Sequence, residues 1–356
     1  MATLIAVLAG DGIGPEIMRE AVRALEAVAE LGGHKFAFTE ALIGGAAIDA
    51  TGDSLPDDTA RLCADADAVL LGAVGGPKWS DPNASIRPEQ GLLSLRSAMG
   101  VYANLRPVKT HPALYASSPL KPGLLQGVDI LVVRELTGGI YFGERQRDEN
   151  SAMDVCRYER SEIERVVRMA AEFARQRRGK ITSVDKANVL DTSRLWRSIT
   201  EEIIGQEFND VALEHLLVDA ATMHLLSRPA DFDVIVTENM FGDILTDEAS
   251  MLCGSLGMLP SASLNQARRG LFEPIHGSAP DIAGRGIANP CGMILSAALL
   301  LRYGLGLQEE SDRLERAVFD ALQAGYRTAD LTPVGQRSVS TADMGEAILK
   351  RFKDAA

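Results

Sequence analysis

Short apolar runs of strand length alternate along this chain with longer segments of helical period, and this alternation restricts the fold more than any other feature. The runs predicted as strands are Leu4–Leu8, Ala68–Leu71, Ile130–Val133, Ile181–Val184, Ala212–Val218 and Val234–Val236. The segments predicted as helices between them include Ser161–Arg178, Thr192–Ile204, Gly242–Leu256, Pro290–Tyr303 and Ser311–Ala324. This order favours an α/β fold with a largely parallel sheet. Because the chain has 356 residues, two modest domains suit it better than one core.

A glycine-rich turn, Gly10–Glu16, follows the first predicted strand and leads into a helix that opens at Pro15 and is expected to stop at Gly32-Gly33. A strand followed by glycines and a helix is the context of a phosphate-binding loop. The spacing Gly-x-Gly-x-Gly, however, is neither the dinucleotide fingerprint nor a Walker loop. A tight turn that requires glycine and a contact with a cofactor therefore both remain open.

Charge and cysteine content exclude several classes of partner. The formal net charge of −13 disfavours binding to DNA or RNA, so an anionic small substrate would need a local cluster of arginines. Cys63, Cys156, Cys253 and Cys291 form no Cys-x-x-Cys pair, and we expect buried thiols in a reducing compartment instead of zinc ligands or disulfides. The N-terminal segment has no basic start, and no run of about 18 apolar residues occurs. A cytoplasmic protein without a membrane span is expected.

An Asp-x-x-x-Asp pair occurs in the segment Asn239–Glu248. If this segment is helical, Asp243 and Asp247 lie on one face, where two like charges destabilise the helix unless a cation compensates them. Mg²⁺ or Mn²⁺, which prefer oxygen ligands, would suit this pair together with a third acid from elsewhere. The alternative is a solvated helix face, or an acidic first turn that complements the helix dipole.

Several basic and phenolic side chains stand at the predicted ends of strands or helices. Arg96, Arg106 and Arg134 could together bind a dicarboxylate, since arginine binds carboxylates through two parallel hydrogen bonds. Lys186 follows a predicted strand and could act as a base in a desolvated site, and Tyr141 could donate a proton. Taken singly, each arginine and Lys186 could instead be an ordinary surface residue, and Tyr141 could simply pack.

The segment Glu273–Gly284 is rich in turn-forming and small residues. Small residues allow a ligand to approach the backbone closely, and an aspartate such as Asp281 can accept hydrogen bonds from a ribose. An ordered surface loop would explain the same composition.

Taken together, these motifs resemble the isocitrate and isopropylmalate dehydrogenase family of β-decarboxylating dehydrogenases. The resemblance covers nearly the whole chain and is strongest in Gly10–Glu16, Glu89–Arg96, Asn104–Pro107, Val133–Glu144, Ser183–Arg197, Thr237–Ser250 and Phe272–Pro290. It implies a two-domain α/β fold of the isocitrate/isopropylmalate dehydrogenase type, which is not a Rossmann fold and has a cleft between its domains. One domain, 1–99 with 254–356, contains both termini and would bind NAD. The other, 100–253, would carry the dimer interface and the metal and substrate residues.

The resemblance also implies cofactors, an assembly and roles for individual residues. NAD and Mg²⁺ or Mn²⁺ are expected as cofactors, in a homodimer whose active sites are shared between subunits. The expected catalytic residues are Tyr141, which protonates the carbon left by CO2, and Lys186 of the partner subunit, which serves in removing the hydroxyl proton. The expected substrate-binding residues are Glu89, Leu92, Leu93, Arg96, Arg106, Arg134, Asn188, Val189 and Asp219. The expected metal ligands are Asp219 of the partner subunit, Asp243 and Asp247. The expected NAD-binding residues are Ile13, Glu273, His276, Gly277, Ser278, Ala279, Asp281 and Asn289.

Two short segments suggest a branch of the family. Where isocitrate enzymes resemble one another in a serine and an asparagine that hold the extra carboxylate, this chain has Gln90 and Leu92, followed by Leu93. A leucine wall favours an isopropyl group, by about 0.8 kcal/mol per buried methylene, and offers a carboxylate no partner. NAD-dependent oxidative decarboxylation of 3-isopropylmalate, a step of leucine biosynthesis, is therefore implied. Asp281-Ile282 stands where NADP-linked relatives resemble one another in Lys-Tyr, which favours NAD.

Two alternatives remain beside this expectation. A relative could act on another 3-alkylmalate, on homoisocitrate or on tartrate, or the chain could be a non-catalytic regulatory subunit. A regulatory subunit would be expected to have lost catalytic groups, whereas this chain keeps Tyr141, Lys186, Asp219, Asp243 and Asp247. The region Gly143–Tyr158, a possible protruding arm, looks short for the family.

Overall fold

The computed structural model describes residues 2–81, 84–333 and 335–355 and has an α/β architecture. Its strands are β1 (Thr3–Gly10), β2 (Phe36–Glu40), β3 (Ala68–Ala73), β4 (Ala103–Lys109), β5 (Asp129–Glu135), β6 (Arg145–Arg147), β7 (Ala152–Asp154), β8 (Lys180–Asp185), β9 (Ala212–Leu217), β10 (Val234–Thr237), β11 (Pro260–Leu264) and β12 (Gly270–Pro274). Its α-helices are α1 (Gly14–Gly32), α2 (Gly44–Thr51), α3 (Asp57–Asp65), α4 (Pro88–Ala98), α5 (Pro122–Leu125), α6 (Arg160–Arg175), α7 (Asp191–Glu207), α8 (Val218–Ser227), α9 (Asn239–Cys253), α10 (Cys291–Leu299), α11 (Gln308–Gln323) and α12 (Thr341–Asp354).

The chain forms two compact units. Unit 1 comprises Met1–Val101 and Gly254–Ala356, and unit 2 comprises Tyr102–Cys253. The domains expected from the sequence were 1–99 with 254–356 and 100–253, and what each of them binds stays a prediction.

Unit 1 contains a five-stranded part of the sheet in the order β2-β1-β3-β12-β11. The strands β1, β2, β3 and β12 are parallel to one another, whereas β11 runs antiparallel to β12. The helix α1 packs against α10 and α12 on this sheet. It ends at Gly33, whose left-handed backbone (φ 69°) suits glycine, so the stop predicted at Gly32-Gly33 is confirmed.

Unit 2 contains strands in the order β4-β5-β10-β8-β9. Here β5, β10, β8 and β9 are parallel, and β4 pairs antiparallel with β5. The carboxyl ends of the parallel strands therefore meet at one edge, where ligands commonly bind in α/β sheets. The turn that carries Tyr141 follows β5, Lys186 follows β8, and Asn239 lies two residues beyond the end of β10.

Several boundaries differ from the sequence predictions. The stretch 257–270 contains glycine, proline, serine and asparagine, a composition that predicts a loop. This prediction is wrong in part, because the stretch contains the buried strand β11. The helix predicted for Pro290–Tyr303 ends its α-helical part at Leu299 and continues as a π-helical turn through Leu300–Gly304. The polar region 143–158 contains the exposed antiparallel pair β6–β7. All four cysteines are free thiols, and three of them are buried.

Candidate active site

The two aspartates of the Asp-x-x-x-Asp pair lie one turn apart on α9 in unit 2. Asp243 forms ion pairs with two arginines of the neighbouring strands: its Oδ1 accepts a short hydrogen bond from Arg134 Nη1 and lies 3.5 Å from Arg106 Nη2. Arg106 lies on β4 and Arg134 on β5. The helix and the strands thus bring two acids and two arginines together, and their roles in binding stay a prediction.

The charges around the two acids differ. Burial alone would raise the pKa of Asp243, but the guanidinium groups of Arg134 and Arg106 outweigh burial and lower this pKa. The pKa of Asp247 is raised, first by desolvation and then by the negative charge of Asp243. The mutual repulsion of two carboxylates on one helix face is the electrostatic situation that a bound cation relieves.

Both arginines are buried and are held by neutral acceptors as well as by Asp243. The exposed fractions of Arg106 and Arg134 are 6% and 4%. Arg106 donates from Nε to Asn104 Oδ1 at 2.6 Å and from Nη1 to Thr246 Oγ1. Buried guanidinium groups with fixed planes are preorganised to bind a planar carboxylate.

Tyr141 reaches the same group of residues from the turn after β5. Its hydroxyl donates to Asp243 Oδ2 at 3.2 Å, and the guanidinium carbon of Arg134 lies 5.9 Å from the centre of its ring. The pKa of Tyr141 is raised, chiefly by burial and then by the charge of Asp243. The phenol therefore stays protonated at neutral pH and is available as a proton donor.

Lys186 and Asp219 form a second group within unit 2. Lys186 Nζ lies 2.6 Å from Asp219 Oδ1, and this contact lowers the pKa of the exposed Asp219 carboxyl. Asn188 and Val189 are exposed in the turn that follows Lys186. Among the described residues of one chain, no three His, Cys, Asp or Glu side chains are grouped to hold a metal ion, so Asp219 does not join Asp243 and Asp247 in the same chain.

The predicted substrate residues of unit 1 lie on α4. Arg96 Nη2 donates to Glu273 Oε1 at 2.8 Å, and its Nε is buried without a hydrogen-bond partner among the described residues. Glu89 is exposed, and Leu92 and Leu93 are half-buried. Leu92 packs partly against the core of unit 1, so only part of its surface remains for a ligand.

The glycine-rich turn fits closely against the loop that follows β12. Gly12 has a left-handed backbone (φ 58°), and a Cβ atom at this position would lie 2.1 Å from Ser278 O. The amide of the buried Ile13 donates to the same carbonyl oxygen at 2.9 Å. Asp11 accepts hydrogen bonds from Gly45 N, Ala46 N and Gly75 N, so its own carboxylate caps α2. The close approach of Gly12 to Ser278 O shows why the turn requires glycine at this position.

The remaining predicted NAD residues follow β12 in unit 1. His276 Nδ1 lies 2.9 Å from Gly277 O, its Nε2 is buried without a partner among the described residues, and burial lowers its pKa, so the ring is neutral. A Cβ atom at Gly277 would meet nothing within 4 Å. Ala279 has a positive φ of 39°, and the side chain of Asp281 is exposed.

Two of the predicted NAD residues already have partners within unit 1. Glu273 accepts from Arg96, as described above. Asn289 donates from Nδ2 to Asp330 Oδ2 at 3.0 Å and accepts from Cys291 N at 2.9 Å, which fixes the start of α10. Their assignment to NAD stays a prediction.

Sequence reasoning missed three buried polar residues near the acid–arginine group, the name used here for Arg106, Arg134, Asp243 and Asp247. Asn239 binds Arg134, Glu238 binds Tyr158, and Tyr158 binds the amide of Asn239. Asn239 is the first residue of the segment Asn239–Glu248, in which the metal-site prediction depends on the carboxylates alone. A polar residue between a buried strand and an amphipathic helix was the signal that could have found it.

Among the described residues, no helix is both long and apolar enough to cross a membrane.

Comparison with known proteins shows similarity to one enzyme family over nearly the whole chain. The family model for isocitrate/isopropylmalate dehydrogenase matches residues 4–348. The chain is 59% identical to the 3-isopropylmalate dehydrogenase of Anaeromyxobacter dehalogenans (strain 2CP-C), covering 99% of this chain and 100% of that protein. It is also 59% identical to the 3-isopropylmalate dehydrogenase of Geobacillus kaustophilus (strain HTA426), covering 97% and 94%.

The crystal structure of isocitrate dehydrogenase from Methylococcus capsulatus superimposes with a TM-score of 0.87 at 35% identity and covers 99% of each chain. The predicted α/β fold and the predicted enzyme class are confirmed by these matches. Since the motifs, the backbone and the whole-length identity agree, the chain belongs to the isocitrate/isopropylmalate dehydrogenase family.

Proposed function

We propose that this enzyme oxidises and decarboxylates 3-isopropylmalate to 4-methyl-2-oxopentanoate and CO2 with NAD, as a step of leucine biosynthesis in the cytoplasm. The observation that carries the proposal is the convergence of two buried arginines, a second aspartate, Asp247, and a tyrosine around Asp243. The identity of 59% to relatives named 3-isopropylmalate dehydrogenase supports the choice of substrate.

The substrate is a dicarboxylate with an apolar branch. Arg106 and Arg134 of unit 2 would bind a carboxylate of this substrate. In unit 1, Arg96 would likewise bind a carboxylate, because its buried Nε has no hydrogen-bond partner among the described residues. The isopropyl group would pack on Leu92 and Leu93, with Glu89 nearby and with the partner's Asn188 and Val189.

The donor set of α9 suits a hard divalent cation. Asp243 and Asp247 present oxygen ligands on one helix face, and the charge of one raises the pKa of the other. Mg²⁺ or Mn²⁺ would be held by these two carboxylates, with a third from Asp219 of the partner subunit. The loop after β12 suits NAD, because His276 Nε2 has no hydrogen-bond partner among the described residues and a Cβ atom at Gly277 would meet nothing within 4 Å.

When bound, NAD accepts a hydride from C2, and the cation supplies positive charge where negative charge develops as CO2 leaves. The protein's own side chains move the protons. Lys186 of the partner subunit would take the proton of the C2 hydroxyl, and Tyr141 would return one to the carbon that CO2 leaves. Arg106 and Arg134 hold the substrate by its carboxylates while these transfers occur.

The surface of unit 2 supports a homodimer. The neighbouring helices α8 and α9 leave Met223, Leu226, Ile244 and Met251 exposed, with Met223 at 62% and Ile244 at 54%. Large apolar side chains clustered on one surface are typical of an interface. A second copy that covers them would bring a different chain close to α9, which carries Asp243 and Asp247.

The test is NADH formation by the purified protein with 3-isopropylmalate, isocitrate, homoisocitrate and tartrate, with and without Mg²⁺. We expect the highest kcat/KM for 3-isopropylmalate and no turnover without a divalent cation. A higher kcat/KM for another member of the panel would reassign the substrate. The absence of turnover with every member would favour a regulatory subunit.

A further inference from the structure

Asn239, the first residue of α9, forms hydrogen bonds to two separate parts of the candidate site. It is buried, with an exposed fraction of 1%. Its Oδ1 accepts from both Arg134 Nε (2.9 Å) and Arg134 Nη2 (2.7 Å). Its Nδ2 donates to Gly138 O at 3.1 Å, in the turn that leads to Tyr141. One side chain therefore fixes an arginine and the turn that carries the tyrosine.

The acceptor on Arg134 is neutral. A single amide oxygen bound to Nε and Nη2 fixes the plane of the guanidinium and turns Nη1 toward Asp243. A carboxylate in this place would fix the same plane but would also neutralise part of the positive charge. An amide therefore orients Arg134 without adding a second negative charge to that of Asp243.

The turn that carries Tyr141 is also tightly packed. Gly139 has a left-handed backbone (φ 77°), and a Cβ atom there would lie 2.4 Å from the hydroxyl oxygen of Tyr158. Tyr158 in turn accepts from the backbone N–H of Asn239 at 2.9 Å and donates to Glu238 Oε2 at 3.2 Å. The backbone of Asn239 is thus held by a buried hydrogen-bond network beside this turn.

We propose that Asn239 is a positioning residue, which aims the charged Arg134 at a substrate carboxylate and sets the turn that carries Tyr141. This inference rests on the proposed function for its substrate. The substitutions Asn239→Asp and Asn239→Ala separate orientation from mere packing. Asp is nearly isosteric with Asn but negatively charged, whereas Ala removes the contacts without adding charge.

We expect Asn239→Ala to raise KM for 3-isopropylmalate by about 10- to 100-fold, the usual cost of losing a residue that orients a ligand-binding group. Asn239→Asp should raise KM further, because it weakens the positive charge at Arg134. A residue needed only for shape would give the opposite order, with Asp milder than Ala. The matched control is Tyr158→Phe, which removes a hydrogen bond from the same network but leaves the Asn239 side chain, and its KM should change less than threefold.

A crystal structure of Asn239→Ala tests the inference independently of turnover. We expect the guanidinium plane of Arg134 to rotate and the 138–141 turn to shift. An unchanged Arg134 and an unchanged turn would overturn the inference, even if the wild-type enzyme oxidises 3-isopropylmalate. If Asn239→Asp does not fold, the other two variants are compared. A larger rise in KM for Asn239→Ala than for Tyr158→Phe supports the inference, and equal KM values contradict it. A wild type that oxidises no 3-isopropylmalate would refute the proposed function, and the position of Arg134 would still decide the role of Asn239.

Discussion

Asp243 and Asp247 stand four residues apart on one helix, and Asp243 forms ion pairs with Arg106 and Arg134. We predict that Asp243→Asn lowers kcat by at least about 100-fold, because several kcal/mol of charge stabilisation by the cation are lost with its ligand. Exhaustive chelation of divalent metal should abolish turnover of the wild type. Steady-state kinetics over a range of Mg²⁺ concentrations measures both effects.

The control for this substitution is Glu248→Gln on the same helix. It removes one carboxylate that is outside the acid–arginine group, and its kcat should stay within about twofold of the wild type. Full activity of Asp243→Asn, or of the chelated wild type, would remove the metal from the proposed mechanism.

Asp281 gives a second prediction at the scale of the residue. Its carboxylate is exposed on the loop after β12, where it could accept hydrogen bonds from the adenosine ribose of NAD but would repel the 2′-phosphate of NADP. We predict that the wild type prefers NAD and that the double substitution Asp281→Lys, Ile282→Tyr shifts the ratio of kcat/KM values toward NADP. A wild type that prefers NADP would contradict the assignment. An unchanged ratio in the variant would show that residues other than Asp281 and Ile282 discriminate between NAD and NADP.

Whether a contact of this site can be predicted from the sequence depends on how far apart its residues lie along the chain. Asp243 and Asp247 could be predicted to share a face because helical periodicity is local. The contact between Asn239 and Arg134 joins residues 105 positions apart, and no local pattern specifies such a pairing. The buried amide was therefore found only in the folded chain.

Within the helix α9, Gly242 makes room for an arginine. A Cβ atom at this position would lie 2.7 Å from Cγ of Arg134 and 2.9 Å from its Cβ. We predict that Gly242→Ala displaces Arg134 and raises KM for 3-isopropylmalate at least tenfold, since small misplacements of a binding group are costly. Substrate titration of the variant measures the change.

Gly205 offers a matched control, because it lies in the helix α7 and a Cβ atom there would meet nothing within 4 Å. Gly205→Ala should leave KM unchanged and stabilise the fold by about 0.5–1 kcal/mol, the helical preference of alanine over glycine. Equal KM values for the two variants would show that Gly242 has no steric role at Arg134.

Strand β11 is an element that could not be predicted from its local sequence. It contains Pro260, Ser261 and Ser263 and has no run of β-branched residues, so its pattern is that of a loop. Its strand conformation depends on antiparallel pairing with β12 and on the bond from Ser261 Oγ to Glu273 O. The parallel strands β1, β3 and β10 were predictable, because buried strands are apolar throughout.

The assembly is tested by mixing two inactive chains. Lys186→Ala and Asp243→Asn should each be inactive as homodimers. If Lys186 acts on the partner's site, the purified heterodimer has one site with both lesions and one intact site. We predict that it regains up to half of the wild-type activity, measured as NADH formation after co-expression with two different affinity tags.

The control pairs Asp243→Asn with Asp247→Asn, whose lesions affect the same half of a shared site. That heterodimer should stay inactive, since each of its sites lacks one metal ligand. A proven heterodimer of Lys186→Ala with Asp243→Asn that stays equally inactive would show that the lysine serves its own chain.

The order in which unit 1 is assembled also affects how the protein folds during synthesis. The strand β3 must pair with β12, and α1 must pack on α10 and α12, yet all of unit 2 is translated between these partners. At about 5–20 residues translated per second, β12 is synthesised on the order of ten to forty seconds after β3, and β3 lacks this neighbour during that time. We expect Tyr102–Cys253 to become protease-resistant first on the ribosome, while the earliest-made segment remains cleavable and is the natural client for a chaperone.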